Sequence, residues 1–220
     1  MTDTKQKILD TAERLIAECG YSAISLRHII AEAEVNLAAI HYHFGSKEEL
    51  LDEIIHRKIG PVNQERIARL DRLVEEAGDG PIAVEAVLEA FVVPMAEAAD
   101  GNPAFVRFMG RLMAEGLLPV LVRKHFEGVV TRMVAVLRRA LPGLPEEEFA
   151  WRMHFMSGTL AHTMCGVPCF PDLCAVEGDF RSRFARLITF LSAGFRAPAT
   201  ARVAAPEAVT QPDESRNEDR

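Results

Sequence analysis

Residues 25–50 constrain the fold of this chain more than any other stretch. They predict two short helices joined by a tight turn, then a Phe-Gly-Ser break and a longer helix. The longer helix opens on Ser46, whose hydroxyl can cap it while Glu49, three residues on, caps back. The second short helix is too small to bury much apolar surface, yet residues 41–43 at its end read His-Tyr-His. Slim donors and aromatics grouped in this way suit a surface that enters a DNA groove.

Helical periodicity continues through nearly all of the 220 residues without a convincing strand pattern, so the chain is predicted to be all-α. Residues 1–58 are predicted to form a three-helix helix-turn-helix domain, whose last helix ends near Gly60-Pro61. Residues 59–196 are predicted to form a larger helical domain, in which the last two long helices span about 145–165 and 178–195. Residues 197–220 are rich in Ala, Pro and acidic groups and are interpreted as a disordered tail.

The charge of the chain restricts how it could bind nucleic acid. The formal net charge is −7, and acidic residues outnumber basic ones even within residues 1–58. Binding must therefore come from a few well-placed groups, as in a site-specific regulator, because no general positive field draws the chain to DNA. The sequence shows neither a signal peptide nor an apolar run long enough for a membrane span, so a cytoplasmic protein without a membrane partner is expected.

The run from Tyr42 to Phe44 followed by Ser46 to Leu50 resembles the most specific segment of the tetracycline-repressor (TetR) family. The resemblance covers residues 5–58 in detail and the remainder in architecture. It implies a ligand-binding and dimerising C-terminal domain, and a homodimer that binds a palindromic double-stranded DNA operator, as a repressor, until a small-molecule effector releases it. No phosphate loop, nucleophile elbow or informative carboxylate pair indicates an enzyme, and no cofactor is expected.

The resemblance and the chemistry of the side chains together indicate candidate DNA contacts. Asn36 is a good N-cap for the recognition helix, whose N–H groups could then face phosphate. The helix could offer apolar contacts to thymine methyl groups and a histidine to a base edge, with phosphate contacts on either side. The alternative is that Tyr42 and His43 merely cover the core. The candidates are Ser25, Arg27, Asn36, Leu37, Ala38, His41, Tyr42, His43 and Lys47.

One turn position departs from the family pattern. Glu34 stands before Val35, where the family usually has glycine. If this residue has a positive φ, its Cβ costs about 1 kcal/mol. Replacement of Glu34 by glycine is therefore expected to stabilise the domain.

Aromatic and methionine side chains concentrate beyond residue 60 and predict an apolar core with a dimer interface. Flexible methionines and flat rings also suit an adaptable pocket for an apolar effector, for which an acyl chain is one candidate. Arg107 and Arg111 could clamp an effector carboxylate, or form a solvated stripe with Glu115 instead. The candidate pocket residues are Phe91, Met95, Phe105, Phe108, Met109, Phe126, Trp151 and Phe155.

A second kind of chemistry is suggested near the end of the helical region. His162, Cys165, Cys169 and Cys174 could bind Zn²⁺ or form a thiol switch, giving a metal or redox sensor on the same fold. The spacing contains no Cys-Xaa2-Cys pair, so buried or incidental thiols are the alternative. No metal ligand is assigned on this basis.

Overall fold

The computed structural model describes residues 4–100, 102–117, 122–165 and 178–200. Within these ranges the chain is helical and has no strand, which confirms the all-α prediction. A π-helical turn, Val122–Phe126, precedes the seventh helix. The α-helices of the described residues are α1 (Thr4–Cys19), α2 (Leu26–Ala33), α3 (Leu37–Phe44), α4 (Lys47–Ala77), α5 (Val84–Ala99), α6 (Pro103–Ala114), α7 (Glu127–Ala140), α8 (Glu146–Cys165) and α9 (Phe180–Arg196).

The N-terminal unit consists of α1, α2, α3 and the first half of α4. Each helix after α1 begins at a polar cap: Ser25 accepts from the backbone N–H of His28, and the side chain of Asn36 accepts from the N–H of Ala39 at 2.7 Å. Ser46 and Glu49 form the predicted capping box of α4. Apolar side chains from all four helices fill the core between them, among them Ile8, Ile16, Ile29, Ile40, Leu50 and Ile54.

The turn between α2 and α3 contains the predicted left-handed residue. Glu34 has φ 50° and ψ 46°, and it is the one residue other than glycine with a positive φ in the described part of the chain. Its backbone N–H and that of Val35 close the end of α2 by bonding to the carbonyls of Ala31 and Ile30. The backbone geometry that favours glycine is thus occupied by a glutamate.

The prediction that the longer helix after α3 ends near Gly60-Pro61 is wrong, because α4 continues without a break to Ala77. A proline inside a helix normally clashes with the Cβ of the preceding residue, and Gly60 has no Cβ. Beyond Pro61, which is exposed, the helix buries Val62, Arg66 and Leu70 on one face. The predicted domain boundary at residues 58 and 59 therefore falls inside a single helix that both units share.

The C-terminal unit packs around the second half of α4. Helix α5 lies against both α4 and α9, while α6 packs between α1 of the first unit and α8 of the second. Helices α8 and α9 lie close to their predicted ranges and pack on each other. None of the helices described here is long and apolar enough to cross a membrane.

The predicted disordered tail begins too early. The guanidinium of Arg152 on α8 donates to the backbone carbonyls of Phe195 at 2.7 Å and Pro198 at 3.1 Å. The carboxylate of Glu148 accepts from the backbone N–H of Thr200 at 2.8 Å. Residues 197–200 are therefore held on α8, and the rest of the predicted tail, residues 201–220, lies outside the described residues.

Candidate nucleic-acid interface and effector core

Helix α3 has one buried face and one exposed face. Ile40 and Phe44 are buried against the neighbouring helices, which fixes the orientation of this two-turn helix. On the other side Ala38 and His41 are exposed, and Tyr42 has 84% of its surface exposed. The alternative interpretation, in which Tyr42 covers the core, is therefore wrong for this residue. The side chain of Leu37, another candidate, lies outside what the structure describes.

The hydrogen bond of His41 determines what its outer nitrogen can do. Nδ1 of His41 lies 3.1 Å from the carbonyl oxygen of Gly45, so Nδ1 carries the proton. In the neutral ring Nε2 is then an acceptor, which suits the amino group of an adenine or a cytosine. His43 is half-buried and packs edge-on against the ring of Tyr42, with 5.1 Å between the ring centres.

Ser25, Arg27 and Asn36, three candidates at the starts of α2 and α3, are exposed. The hydroxyl oxygen of Ser25 and the amide oxygen of Asn36 already accept capping bonds, so each side chain has only its donor groups to offer to a phosphate. Arg27, in the first turn of α2, adds a positive charge beside them. The polar caps that define these helices thus also present N–H and O–H groups at the two helix starts.

Lys47 is less available than its sequence position indicates. Its ammonium donates to the backbone carbonyl of Tyr21 at 2.6 Å and lies 4.1 Å from the centre of the Tyr21 ring. Partial burial lowers the pKa of Lys47 from its usual value. A contact from Lys47 to a phosphate would have to use the other N–H groups of an ammonium that Tyr21 already holds.

The two units are joined at the loop after α1, a contact that sequence reasoning missed. The carboxylate of Glu115, just after α6, accepts from the backbone N–H of Ser22 at 2.8 Å and from its hydroxyl at 2.6 Å. Although partial burial acts in the other direction, these hydrogen bonds lower the pKa of Glu115 below its usual value. Burial, together with Glu48 and Glu115, raises the pKa of Tyr21 to about 12, so its phenol stays protonated.

The proposed carboxylate clamp of Arg107 and Arg111 is not in the apolar core. Arg111 donates to the backbone carbonyl of Glu18 on α1 at 3.3 Å. Arg107 is exposed and lines a polar cleft of about 480 Å³ between α1, α4 and α6. Arg107 and Arg111 are both exposed, in agreement with the alternative of a solvated stripe, although Arg111 and Glu115 also bond to the N-terminal unit.

The candidate pocket residues fall into two groups. Trp151 and Phe155 on α8 are 53% and 61% exposed, and their rings stack with 5.7 Å between centres. They do not line an interior pocket together with the others, because successive exposed positions on α8 face away from the core. The buried group, which forms one continuous core, is Phe91, Met95, Phe105, Phe108, Met109 and Phe126.

A buried arginine lies among these apolar side chains and was missed by sequence reasoning. Arg66 on α4 is 1% exposed, and its guanidinium carbon lies 4.2 Å from the centre of the Phe91 ring and 6.0 Å from that of Phe126. Its Nε donates to the carbonyl of Phe91 at 2.6 Å, and Nη1 donates to the side-chain oxygen of Asn63 at 3.1 Å. The available sequence signal was this polar pair, which interrupts the apolar stripe of α4.

Hydrogen bonds continue from this pair to the first half of α4. The amide nitrogen of Asn63 donates to the carbonyl of His125 at 2.8 Å, and Nε2 of His125 donates to the carboxylate of Asp52 at 2.7 Å. Lys124 forms an ion pair with the same carboxylate. Although partial burial acts the other way, the bonds from Lys124 and His125 lower the pKa of Asp52. The π-helical turn is therefore bonded to α4 at two positions, Asp52 and Asn63.

The predicted cysteine cluster cannot be assembled from the described residues. Cys169 and Cys174 lie outside them, as does the side chain of Cys165, while His162 is exposed. In the ranges that the structure covers, no group of three His, Cys, Asp or Glu side chains could hold a metal ion.

Comparison with known proteins agrees with this architecture. Residues 8–54 match the family model for bacterial regulatory proteins of the tetR family, and residues 85–194 match the model for the tetracyclin repressor-like C-terminal domain. A TetR-like transcriptional regulator from Rhodococcus sp. RHA1 superposes with a TM-score of 0.58 at 16% identity, covering 90% of this chain and 98% of that one. The TetR-family regulator PfmR from Thermus thermophilus superposes with a TM-score of 0.51 at 21% identity, covering 88% and 99%.

Curated relatives match over shorter stretches. The nicotine-responsive transcriptional repressor HdnoR of Paenarthrobacter nicotinovorans is 30% identical over 93 residues, which are 42% of this chain and 46% of the relative. The transcriptional repressor KstR2 of Rhodococcus jostii is 29% identical over 102 residues, which are 46% of each chain. This chain thus spans about half the length of these two relatives.

Helices α2 and α3 both begin at a polar cap, and α3 is buried on one face and exposed on the other. These features define a helix-turn-helix DNA-binding protein. The matched models cover both units of the chain. The chain belongs to the TetR family of transcriptional regulators, which are usually repressors.

Proposed function

We propose that this protein is a homodimeric repressor that binds a palindromic operator and releases it when a small apolar effector binds the C-terminal core. The observation that carries the proposal is the two-sided character of α3. Ile40 and Phe44 anchor it, while the exposed Tyr42 and His41 project from the opposite side. Because 84% of Tyr42 is exposed, its ring and its hydroxyl are accessible to a partner on this face.

The geometry of α2 and α3 supports the proposed DNA contacts. The N-termini of both helices would face phosphates, with Ser25, Asn36 and Arg27 beside them. Ala38 and His41 would face base edges, while Tyr42 and His43 would reach the backbone on the far side of the groove. Because few of these groups are charged, specificity would depend partly on DNA shape.

The second subunit would cover the exposed aromatic surface formed by Trp151, Phe155 and Phe190 on α8 and α9. Phe190 is 68% exposed, and α8 and α9 pack on each other, so the three rings lie on the surface of one helix pair. Two such surfaces related by a two-fold axis would place two α3 helices on one face of a duplex.

The effector would be sensed in the core that α4 and α5 share with the π-helical turn. Two structural connections could carry the change to α3: the bonds of Glu115 to Ser22, and the uninterrupted α4, which begins directly after α3. A coupling free energy of about 1–3 kcal/mol between the two sites would suffice for regulation.

The test is selection of bound duplexes from a random pool, followed by affinity measurements with Tyr42→Ala. We expect a palindromic sequence to be enriched, and Tyr42→Ala to weaken its binding about tenfold or more without loss of thermal stability, because the side chain is exposed. His56→Ala, an exposed change on α4, is the matched control and should bind like the wild type. No enrichment at low salt, or full binding by Tyr42→Ala, would contradict the proposal.

A further inference from the structure

We propose that the effector is an amphipathic carboxylic acid whose carboxylate binds the guanidinium of Arg66 inside the C-terminal core. This inference rests on the proposed function, since it names the chemical class of the effector for the same core. A carboxylic acid differs from an uncharged apolar effector, which is what the composition of the core alone would indicate.

The first argument is the unused hydrogen-bonding capacity of Arg66. Its Nε and Nη1 donate to the Phe91 carbonyl and to Asn63, whereas Nη2 has no hydrogen-bond partner among the residues that the structure describes. A buried donor without an acceptor costs about 1–3 kcal/mol, and more when the donor is charged. The two N–H groups of Nη2 are therefore able to donate to an oxygen of a ligand.

The second argument is the uncompensated charge. Both acceptors of Arg66 are neutral, and none of the ion pairs of the described residues includes it. The faces of Phe91 and Phe126 offset part of the cost through cation–π contacts. Burial still lowers the pKa of Arg66 to about 9, because the charged form has lost its contact with water. A monoanion that bonds to Nη2 would supply the missing charge.

The surroundings restrict the rest of the ligand. Apart from Asn63, the side chains shown beside the guanidinium are the rings of Phe91 and Phe126, so an apolar ligand body fits there. A single cation compensates one negative charge. A carboxylate matches the planar N–H groups of a guanidinium, which distinguishes it from a neutral amide or alcohol. Met95 and Met109 in the same core are flexible enough to repack around such a body.

The position of Arg66 also connects the ligand to the DNA-binding unit. Asn63 bonds both to Arg66 and to the carbonyl of His125 in the π-helical turn, a rare element that often marks functional sites. His125 in turn bonds to Asp52 in the first half of α4. A carboxylate that draws Arg66 away from Asn63 would therefore loosen or shift the turn that holds α4.

The experiment compares carboxylates with their neutral amides. Decanoate and 4-phenylbutyrate, each paired with its primary amide at equal concentration, are tested for thermal stabilisation of the full-length protein and for release of the selected operator. We expect the carboxylates to raise Tm and release DNA, and the amides to do neither. Arg66→Met should bind the carboxylates at least about tenfold more weakly, because the charge-assisted bonds are lost.

Two further variants keep the test decisive. Arg66→Lys keeps the charge with fewer donors and should retain a weakened response, which covers the case in which Arg66→Met does not fold. Arg72→Met, an exposed change on the same helix, should respond like the wild type. Stabilisation by neither carboxylate, equal effects of the amides, or an unchanged response of both Arg66 variants would overturn the inference.

The outcomes also separate the inference from the proposed function. Release of the operator by amides as readily as by carboxylates would leave ligand-responsive repression intact and remove the role of Arg66. Carboxylate binding that depends on Arg66 but leaves operator binding unchanged would support a carboxylate site at Arg66 and contradict the inference that its ligand is the effector.

Discussion

The carboxylate of Glu115 lies 2.6 Å from the hydroxyl of Ser22, although the two residues are far apart in the sequence and belong to different units. The contact requires a close approach at Gly20, where an added Cβ would lie 2.3 Å from an oxygen of Glu115 and where φ is +91°. Together with the bond from Arg111 to Glu18, it attaches the end of α6 to the end of α1. These contacts join the C-terminal unit directly to the helix-turn-helix domain.

We expect Glu115→Gln to reduce the loss of stability in acid. The pKa of Glu115 is lower in the folded protein than the ordinary value of 4.5, so its carboxylate stabilises the fold above that value. This contribution disappears as the pH falls from 4.5 through the folded-state pKa. Urea unfolding as a function of pH should show a smaller decrease in unfolding free energy for Glu115→Gln than for the wild type across that range. Equal decreases would show that the Ser22 contact does not depend on charge.

Glu34→Gly should stabilise the protein by about 1 kcal/mol, because glycine adopts the left-handed conformation without a Cβ penalty. The change also removes the ion pair of Glu34 with Lys7, but the Glu34 side chain is largely exposed and the pair contributes little. Glu34→Ala is the matched control, since it loses the same ion pair and keeps a Cβ. A urea midpoint no higher for the glycine variant than for the alanine variant would count against this prediction.

Arg27→Ala should weaken DNA binding equally for the operator and for unrelated duplexes. The affinity falls as the salt concentration rises. If Arg27 contacts a phosphate, its removal makes the slope of log affinity against log salt concentration less steep by about 1. Fluorescence anisotropy over a series of salt concentrations measures this slope. Arg27→Lys retains the charge and should keep the wild-type slope. A change in the sequence preference of Arg27→Ala would instead indicate that Arg27 contacts a base.

Trp151→Glu should shift the protein from dimer to monomer. The charge would be buried against the second subunit if the exposed aromatic surface of α8 and α9 is the interface, and the dissociation constant should rise at least about tenfold. Sedimentation velocity at several concentrations measures this change. Ala135→Glu introduces the same charge at an exposed position on α7 and should leave the dimer intact. A Trp151→Glu protein that sediments like the wild type would place the interface elsewhere.

The local features of the N-terminal unit followed from the sequence because they depend on neighbouring residues. Ser25, Asn36 and Ser46 cap helices through bonds to residues three positions away, and Glu34 lies in a turn that local geometry defines. The continuation of α4 past Pro61 did not follow, because it depends on the distant helices against which Val62 and Leu70 pack. A local signal for helix termination was overcome by tertiary packing.

The sequence by itself determined the all-α architecture, the caps and the orientation of α3, because each depends on the spacing of apolar and polar residues along one helix. Only the tertiary structure decided that Glu115 binds Ser22, that Trp151 and Phe155 are exposed, and that Arg66 is buried with no counter-charge among the described residues. The physical reason is that burial and pairing of a side chain depend on which helices meet at it. That arrangement is set by the packing of the whole chain and leaves no periodic signal in any one segment.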